Sequence, residues 1–249
     1  MSNYEKIKEH IEREEMVARA IVVHAPEGVS IGAEMLVYPD GRTEGSLGSA
    51  ELDQGAVAKT LELMQRTGSK TYPIETPEGQ FEVFVDVFPP PPTLLVFGAV
   101  HIAIPLVKFA KECGFRTKVI DGRQKFLTKE RFPEADELIE AWPDEIVEQN
   151  VKIDSNTYIV VLTHDEKFDG PALDVSLPSP ARYIGAIGSK TTTANRNERL
   201  RKAGWSEENI ARIHGPIGIQ IGAKEPAEIA ISIMAEVLAV KYGMDKPKN

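Results

Sequence analysis

Four segments of the chain carry the residue types that hold charged ligands: LLVFGAVHIA, THDEKFD, YIGAIGSKTTT and HGPIGIQIGAKEP. In the first, Gly98 separates a strand-like run from a helical one, and Asp121 closes the next strand-like run. That frame predicts a dinucleotide-type site, with a glycine turn, a helix amino terminus facing a phosphate and an acid for sugar hydroxyls. Val100 stands where the usual pattern has its second glycine, so a side chain opposes the close approach of a pyrophosphate. Binding of NAD(P) is therefore the lesser expectation. His101, at the start of the helix, can donate to a phosphate or pack against the adjoining loop.

Thr163, His164 and Asp165 follow a strand, where open α/β sheets collect ligands. With Asp169 they form a thin set of metal donors, and turn and cap hydrogen bonding is the plain alternative. No metal centre is assigned. Gly185 and Gly188 free the backbone ahead of Ser189 and Lys190, which open a helix suited to an anion or else form a tight turn with a solvated lysine. Too few residues separate the glycines for a Walker loop, so nucleoside triphosphate hydrolysis gains little support. Gly218 and Gly222 precede the last helix and let its amino terminus approach another surface, while Glu225 and Glu228 complement the helix dipole. None of these residues is assigned a catalytic role.

The elements needed to position these groups are readable from periodicity. The proline run from Pro89 to Pro92 opposes helix and central strand and marks a boundary between domains 1–90 and 91–249. Ahead of it, Tyr4 to Glu15 and Ala56 to Gln65 read as helices, and Ala18 to His24, Met35 to Tyr38 and Phe81 to Val87 as strands, with a turn at Asp40-Gly41. This is a small α+β unit. Beyond it come strands at Leu94 to Phe97, Thr117 to Ile120, Glu137 to Ile139, Tyr158 to Leu162 and Tyr183 to Ile187. Helices are expected over Ile102 to Cys113, from a Ser189 cap to Ala203, and from Pro226 to Tyr242. The fold class that follows is α/β, with a C-terminal Rossmann-like doubly wound parallel sheet preceded by the smaller α+β domain.

Composition narrows the function. With 249 residues, 42% hydrophobic and 27% charged, the chain is ordinary for a globular protein, and its formal net charge of −9 opposes a broad grip on nucleic acid or anionic lipid. The charge-dense start, MSNYEKIKEHIEREE, is unlike a secretory signal, and no run reaches the roughly 18–20 apolar residues of a membrane span, so a cytoplasmic location is expected. The single cysteine, Cys113, excludes an internal disulfide and a cysteine-based metal framework, and its helical setting suits a small buried hydrophobe.

Taken together, the motifs resemble those of the xanthine dehydrogenase accessory proteins, the XdhC/CoxI family, across nearly the whole chain. The carrying segments are Gly98-Ala99-Val100-His101, Thr163-His164-Asp165, Ile184-Gly185-Ala186-Ile187-Gly188-Ser189-Lys190, and Pro216-Ile217-Gly218 through Ile221-Gly222-Ala223 to Pro226 and Glu228. IGAEMLVYPDGRTEGSLGS is similar to the family's amino-terminal glycine-rich region. The resemblance implies a chaperone rather than a catalyst. Such a protein binds molybdenum cofactor, or its dinucleotide form, and assists its sulfuration and insertion into a xanthine dehydrogenase-type molybdenum hydroxylase, with a sulfur donor protein as a further partner. Where the family often has G-G-C this chain has Gly48-Ser49-Ala50, so thiolate capture of the metal is not expected. A homodimer is the expected assembly, two-fold oligomers being the commonest. Two alternatives stay open: an NAD(P)-dependent oxidoreductase, and a scaffold whose nucleotide pocket is degenerate.

Overall fold

The computed structural model describes residues 2–27, 29–65, 68–146, 149, 151–163 and 165–244. The chain divides into two compact units, Met1–Pro90 and Pro91–Asn249. Among the described residues no helix is long and apolar enough to cross a membrane.

The first unit runs α1 (Asn3–Glu12), β1 (Val17–His24), β2 (Glu34–Val37), β3 (Thr43–Gly45), α2 (Ala50–Met64), β4 (Gly68–Thr76) and β5 (Gly79–Phe88). Its strands form one antiparallel sheet in the order β3-β2-β1-β5-β4. Alternation in β5 sends Phe81, Val83, Val85 and Val87 inward, where Leu52, Ala56 and Leu63 of α2 cover them. Strand β4 escapes a periodicity reading because Pro73 interrupts it. At the sheet's edge that proline forfeits no ladder bond on its free side.

The second unit runs β6 (Thr93–Phe97), α3 (Ala103–Glu112), β7 (Arg116–Ile120), β8 (Glu137–Ile139), β9 (Thr157–Val161), α4 (Glu166–Ser176), β10 (Tyr183–Ala186), α5 (Lys190–Lys202), α6 (Glu207–Ala211), β11 (Ile213–His214) and α7 (Pro226–Lys241). All its strand pairs are parallel, in the order β11-β10-β9-β6-β7-β8, which is the doubly wound Rossmann order with its switch point between β6 and β9. Side chains alternate across the central strands. Leu94, Val96, Tyr158 and Val160 meet α3 and α7 on one face, and Leu95, Phe97, Ile159 and Val161 meet α4, Leu200 of α5 and Ile210 of α6 on the other.

Helix α4 was not expected from sequence, since Gly170 and Pro171 both disfavour a helix interior. Burial of Phe168, Ala172, Leu173 and Leu177 against the sheet outweighs that local preference.

Candidate functional site

At the carboxyl end of the parallel sheet a cavity of about 390 Å³ is lined by residues from β6 to α3 (Val100, His101, Ile102), from the end of β9 (Leu162, Thr163, Asp165), and by Arg123, Trp142, Phe168 and Pro226. Three helices begin on this space. Two of them compensate their own positive ends: the Asp165 carboxylate accepts from the Lys167 N–H at 3.0 Å at the start of α4, and Glu228 accepts from the N–H groups of Lys224 and Glu225 at 2.9 and 3.1 Å at the start of α7. Helix α3 does not. It has no capping side chain and no acid in its first turn, and among the described residues nothing accepts from the backbone N–H groups of Val100, His101 and Ile102. Such orphan donors at an uncompensated helix start favour an anion.

Gly98 sets up this turn. Its φ is +105°, and a Cβ there would lie 2.5 Å from Cγ2 of Thr163, so a side chain is opposed both by conformation and by space. The Thr163 hydroxyl donates to the Asp169 carboxylate, which ties the loop after β9 to α4.

Asp121, expected to accept from a sugar hydroxyl, has its oxygens engaged within the chain. It is fully buried and its two carboxylate oxygens accept from the Ala99 N–H (2.8 Å), the Arg123 N–H (2.9 Å), and Arg123 Nε and Nη2 (both 2.8 Å). Every good acceptor position is used, so the acid braces the glycine turn and holds Arg123 in a two-pronged grip. Burial pushes the Asp121 carboxyl up, but the hydrogen bonds from Arg123 and Ala99 together outweigh it and hold it below the usual carboxylate range. Arg123 is held above its ordinary value, chiefly by those bonds and against its partial burial, with the charges of Asp121 and then Asp165 adding. Its guanidinium, whose side chain remains 43% exposed, is thereby fixed at the cavity wall.

These loops and strands match two family models, XdhC Rossmann domain over residues 94–237 and XdhC and CoxI family over residues 10–74. The chain belongs to the XdhC and CoxI family. Relatives include the Escherichia coli K12 protein YqeB, 30% identical over 84% of this chain and 40% of its own length. A Bacillus subtilis protein, named as a probable component of xanthine dehydrogenase, is 32% identical over 64% of this chain and 46% of its own. The Escherichia coli molybdenum cofactor insertion chaperone PaoD is 34% identical over 39% of this chain and 30% of its own. The chain thus spans less than half the length of these curated relatives. A crystal structure of a xanthine dehydrogenase from Bacillus halodurans shares the fold, with a TM-score of 0.57 at 21% identity over 100% of this chain and 98% of that one.

Of the residues expected to form the site in this XdhC-family chain, His101, Thr163 and Asp165 line the cavity. His164 lies outside the described residues. The other glycines have packing reasons. A Cβ on Gly185 would come within 2.5 Å of the Tyr183 hydroxyl and 2.6 Å of Ile217, and one on Gly188 (φ +147°) within 2.9 Å of Thr192. Beneath Gly188 lies Arg196, 3% exposed, whose guanidinium donates to the Ile187 carbonyl. Ser189 caps α5, its hydroxyl accepting from the Thr192 N–H at 3.1 Å, and Lys190 is exposed on the first turn. Gly218 packs on Ser232 of α7 and donates its N–H to Glu236 at 2.7 Å, and Gly222 (φ +76°) turns in an exposed loop. None of these lines the cavity.

Sequence reasoning missed Arg123, Trp142, Phe168 and Arg196. Only Arg123 carried a signal, standing two residues beyond the acid that ends a Rossmann-type second strand. Among the described residues no group of three or more His, Cys, Asp or Glu could hold a metal ion. Cys113 sits at the far end of α3, about 15 Å from its start at 1.5 Å per residue.

Proposed function

We propose that the cavity at the start of α3 binds the phosphate-bearing end of molybdenum cofactor, in its molybdopterin or dinucleotide form, and that the protein assists sulfuration and insertion of that cofactor into a molybdenum hydroxylase. The carrying observation is the coincidence, on one cavity, of three backbone N–H groups that find no acceptor among the described residues, at a helix start without a capping side chain, with the fixed guanidinium of Arg123. Both are donors suited to a phosphate oxygen. The names of PaoD and of the Bacillus subtilis relative support the choice of cofactor and of client.

The donor set fits a phosphate and offers nothing soft to the metal. Val100 to Ile102 and Arg123 would hold the phosphate, His101 and Asp165 would border it, and the molybdenum chemistry would belong to the client enzyme. Because Cys113 lies at the opposite end of α3, sulfur would come from a partner protein rather than from this chain. A homodimer and a two-domain division of labour at residue 90 belong to the same proposal. The oxidoreductase reading loses its ribose acceptor, since Asp121 is saturated by Arg123 and Ala99.

The test is calorimetric titration and thermal unfolding of the intact chain with molybdenum cofactor, its cytidine dinucleotide form, NAD and NADP. Binding of a molybdenum form, weakened about tenfold or more by Arg123→Ala, is the expected result, a charge-assisted contact being worth that much. Saturating cofactor that shifts neither heat nor midpoint refutes the reading, and tight binding of NAD transfers it to the oxidoreductase class.

A further inference from the structure

We infer that Trp142 is the stacking platform of this cavity, so that the ligand whose phosphate meets the start of α3 also carries a planar heteroaromatic ring that lies on the indole. The inference rests on the cavity being the ligand site and adds the side chain on which the ring of that ligand would lie.

Trp142 is held from both sides yet left open. Its neighbours Ala141 and Pro143 are buried, and its backbone N–H donates to the Glu145 carboxylate at 2.8 Å, closing the 3-10 turn Pro143–Glu145. Despite these anchors the residue is 43% exposed and lines the cavity. A large aromatic side chain fixed in place but not buried is what a binding wall requires.

The ring's orientation follows from Gly122. A Cβ built there would lie 2.7 Å from Cε2 and 2.8 Å from both Cδ2 and Nε1 of Trp142. Near-equal distances to three atoms of the five-membered ring place the glycine over a face of the indole rather than at its edge. One face is therefore closed by backbone, and only glycine permits the approach. Phe168 stands 5.7 Å away at 57°, a tilt that cannot cover the opposite face in parallel. No cation among the described residues sits over the indole, and Arg123 lies instead over Phe126 at 4.7 Å. The indole N–H also has no acceptor among the described residues, whereas that of Trp205 donates to Asp174 at 3.1 Å. An indole on which no described ring stacks in parallel and no described cation sits, with a donor that finds no acceptor among the described residues, describes beside phosphate-binding groups a seat for a phosphorylated pterin or a nucleotide base.

The experiment uses the intact chain and three probes: pyrophosphate, neopterin as a ring without phosphate, and cytidine 5′-diphosphate as a nucleobase joined to phosphates. In a Trp205→Phe variant Trp142 is the sole tryptophan, and its fluorescence should be quenched by whichever ring binds, by neopterin if the seat is for pterin and by the cytidine nucleotide if for a base. Trp142→Ala should weaken that probe about tenfold or more and Trp142→Phe by less, while both leave pyrophosphate affinity unchanged. Gly122→Ala, which forces the indole aside, should reproduce the Trp142→Ala loss, with circular dichroism confirming the fold of each variant. Equal weakening of pyrophosphate and the ring probes, or no quenching by either ring while pyrophosphate binds, overturns the platform and leaves the anion site standing. Failure of pyrophosphate to bind, with quenching by neopterin intact, overturns the anion reading and supports the platform. Silence of all three probes overturns both.

Discussion

Replacing Asp121 by Asn separates the structural work of this acid from any direct part in ligand binding. The carboxylate, with no exposed surface, accepts four hydrogen bonds, from the Ala99 N–H and from the N–H, Nε and Nη2 of Arg123. An amide offers one oxygen that can accept two, and its NH2 group then faces the remaining two donors. Arg123 Nε can turn toward water because its side chain is 43% exposed, so solvent screens part of the lost charge pair. A backbone N–H in a buried turn has no such escape. The expected cost is on the order of 2–4 kcal/mol, combining one buried unsatisfied donor with the loss of a charge-assisted bond. At roughly 2–4 °C per kcal/mol for a chain of this size, the unfolding midpoint should fall by about 5–15 °C. The assay is thermal unfolding at neutral pH followed by near-ultraviolet circular dichroism, with Arg123→Ala and the double variant completing a cycle. Coupling above about 1 kcal/mol is expected between the two sites. A midpoint within about 2 °C of the parent protein, or additive single effects, refutes the claim that Asp121 braces the glycine turn.

Two further outcomes follow from the same geometry. Gly98→Ala combines a φ of +105° with a Cβ 2.5 Å from Thr163, and should destabilise by about 2–4 kcal/mol in urea titration, whereas Gly222→Ala, at φ +76° with nothing within 4 Å, should cost only about 1–2 kcal/mol. Equal effects would show that space around Gly98 does not matter. Asp136 resembles Asp121 in being held below the usual carboxylate range, burial raising it and the bonds from Lys111 and the Thr117 N–H outweighing burial. Depressed folded values mean stability that is fully present above the ordinary aspartate pKa of about 3.9 and lost as pH falls through the lower folded values. Urea midpoints should therefore stay level near neutrality and decline in acid, with a shallower decline in Asp136→Asn, and an unchanged acid slope in that variant would contradict the assignment.

How much of this was legible follows from the range of each interaction. Strands β6, β7, β9 and β10 and helices α3, α5 and α7 were readable because alternation, capping residues such as Ser189 and the punctuation of Gly204 and Pro226 are local signals. Helix α4 was not, because Gly170 and Pro171 argue against it and only burial on the sheet overrides them. In the site, the chain's own order marked the Gly98 turn, His101, Thr163 and Asp165, since strand ends in a parallel sheet must converge at one edge. It did not show the partners of Asp121, whose strand-end position is that of a ribose acceptor and whose oxygens accept from Ala99 and from Arg123 two residues away.

The sequence alone determined that a parallel sheet would gather glycine turns and helix starts at its carboxyl edge, because hydrophobic period and turn chemistry are properties of short segments. Only the tertiary structure decided which helix start lacks a capping side chain, which arginine is locked beside it, and that Gly122 packs against one face of Trp142. Those choices depend on contacts between residues distant in the chain, where hydrogen-bond partners and packed surfaces are assigned only once the strands have been brought side by side.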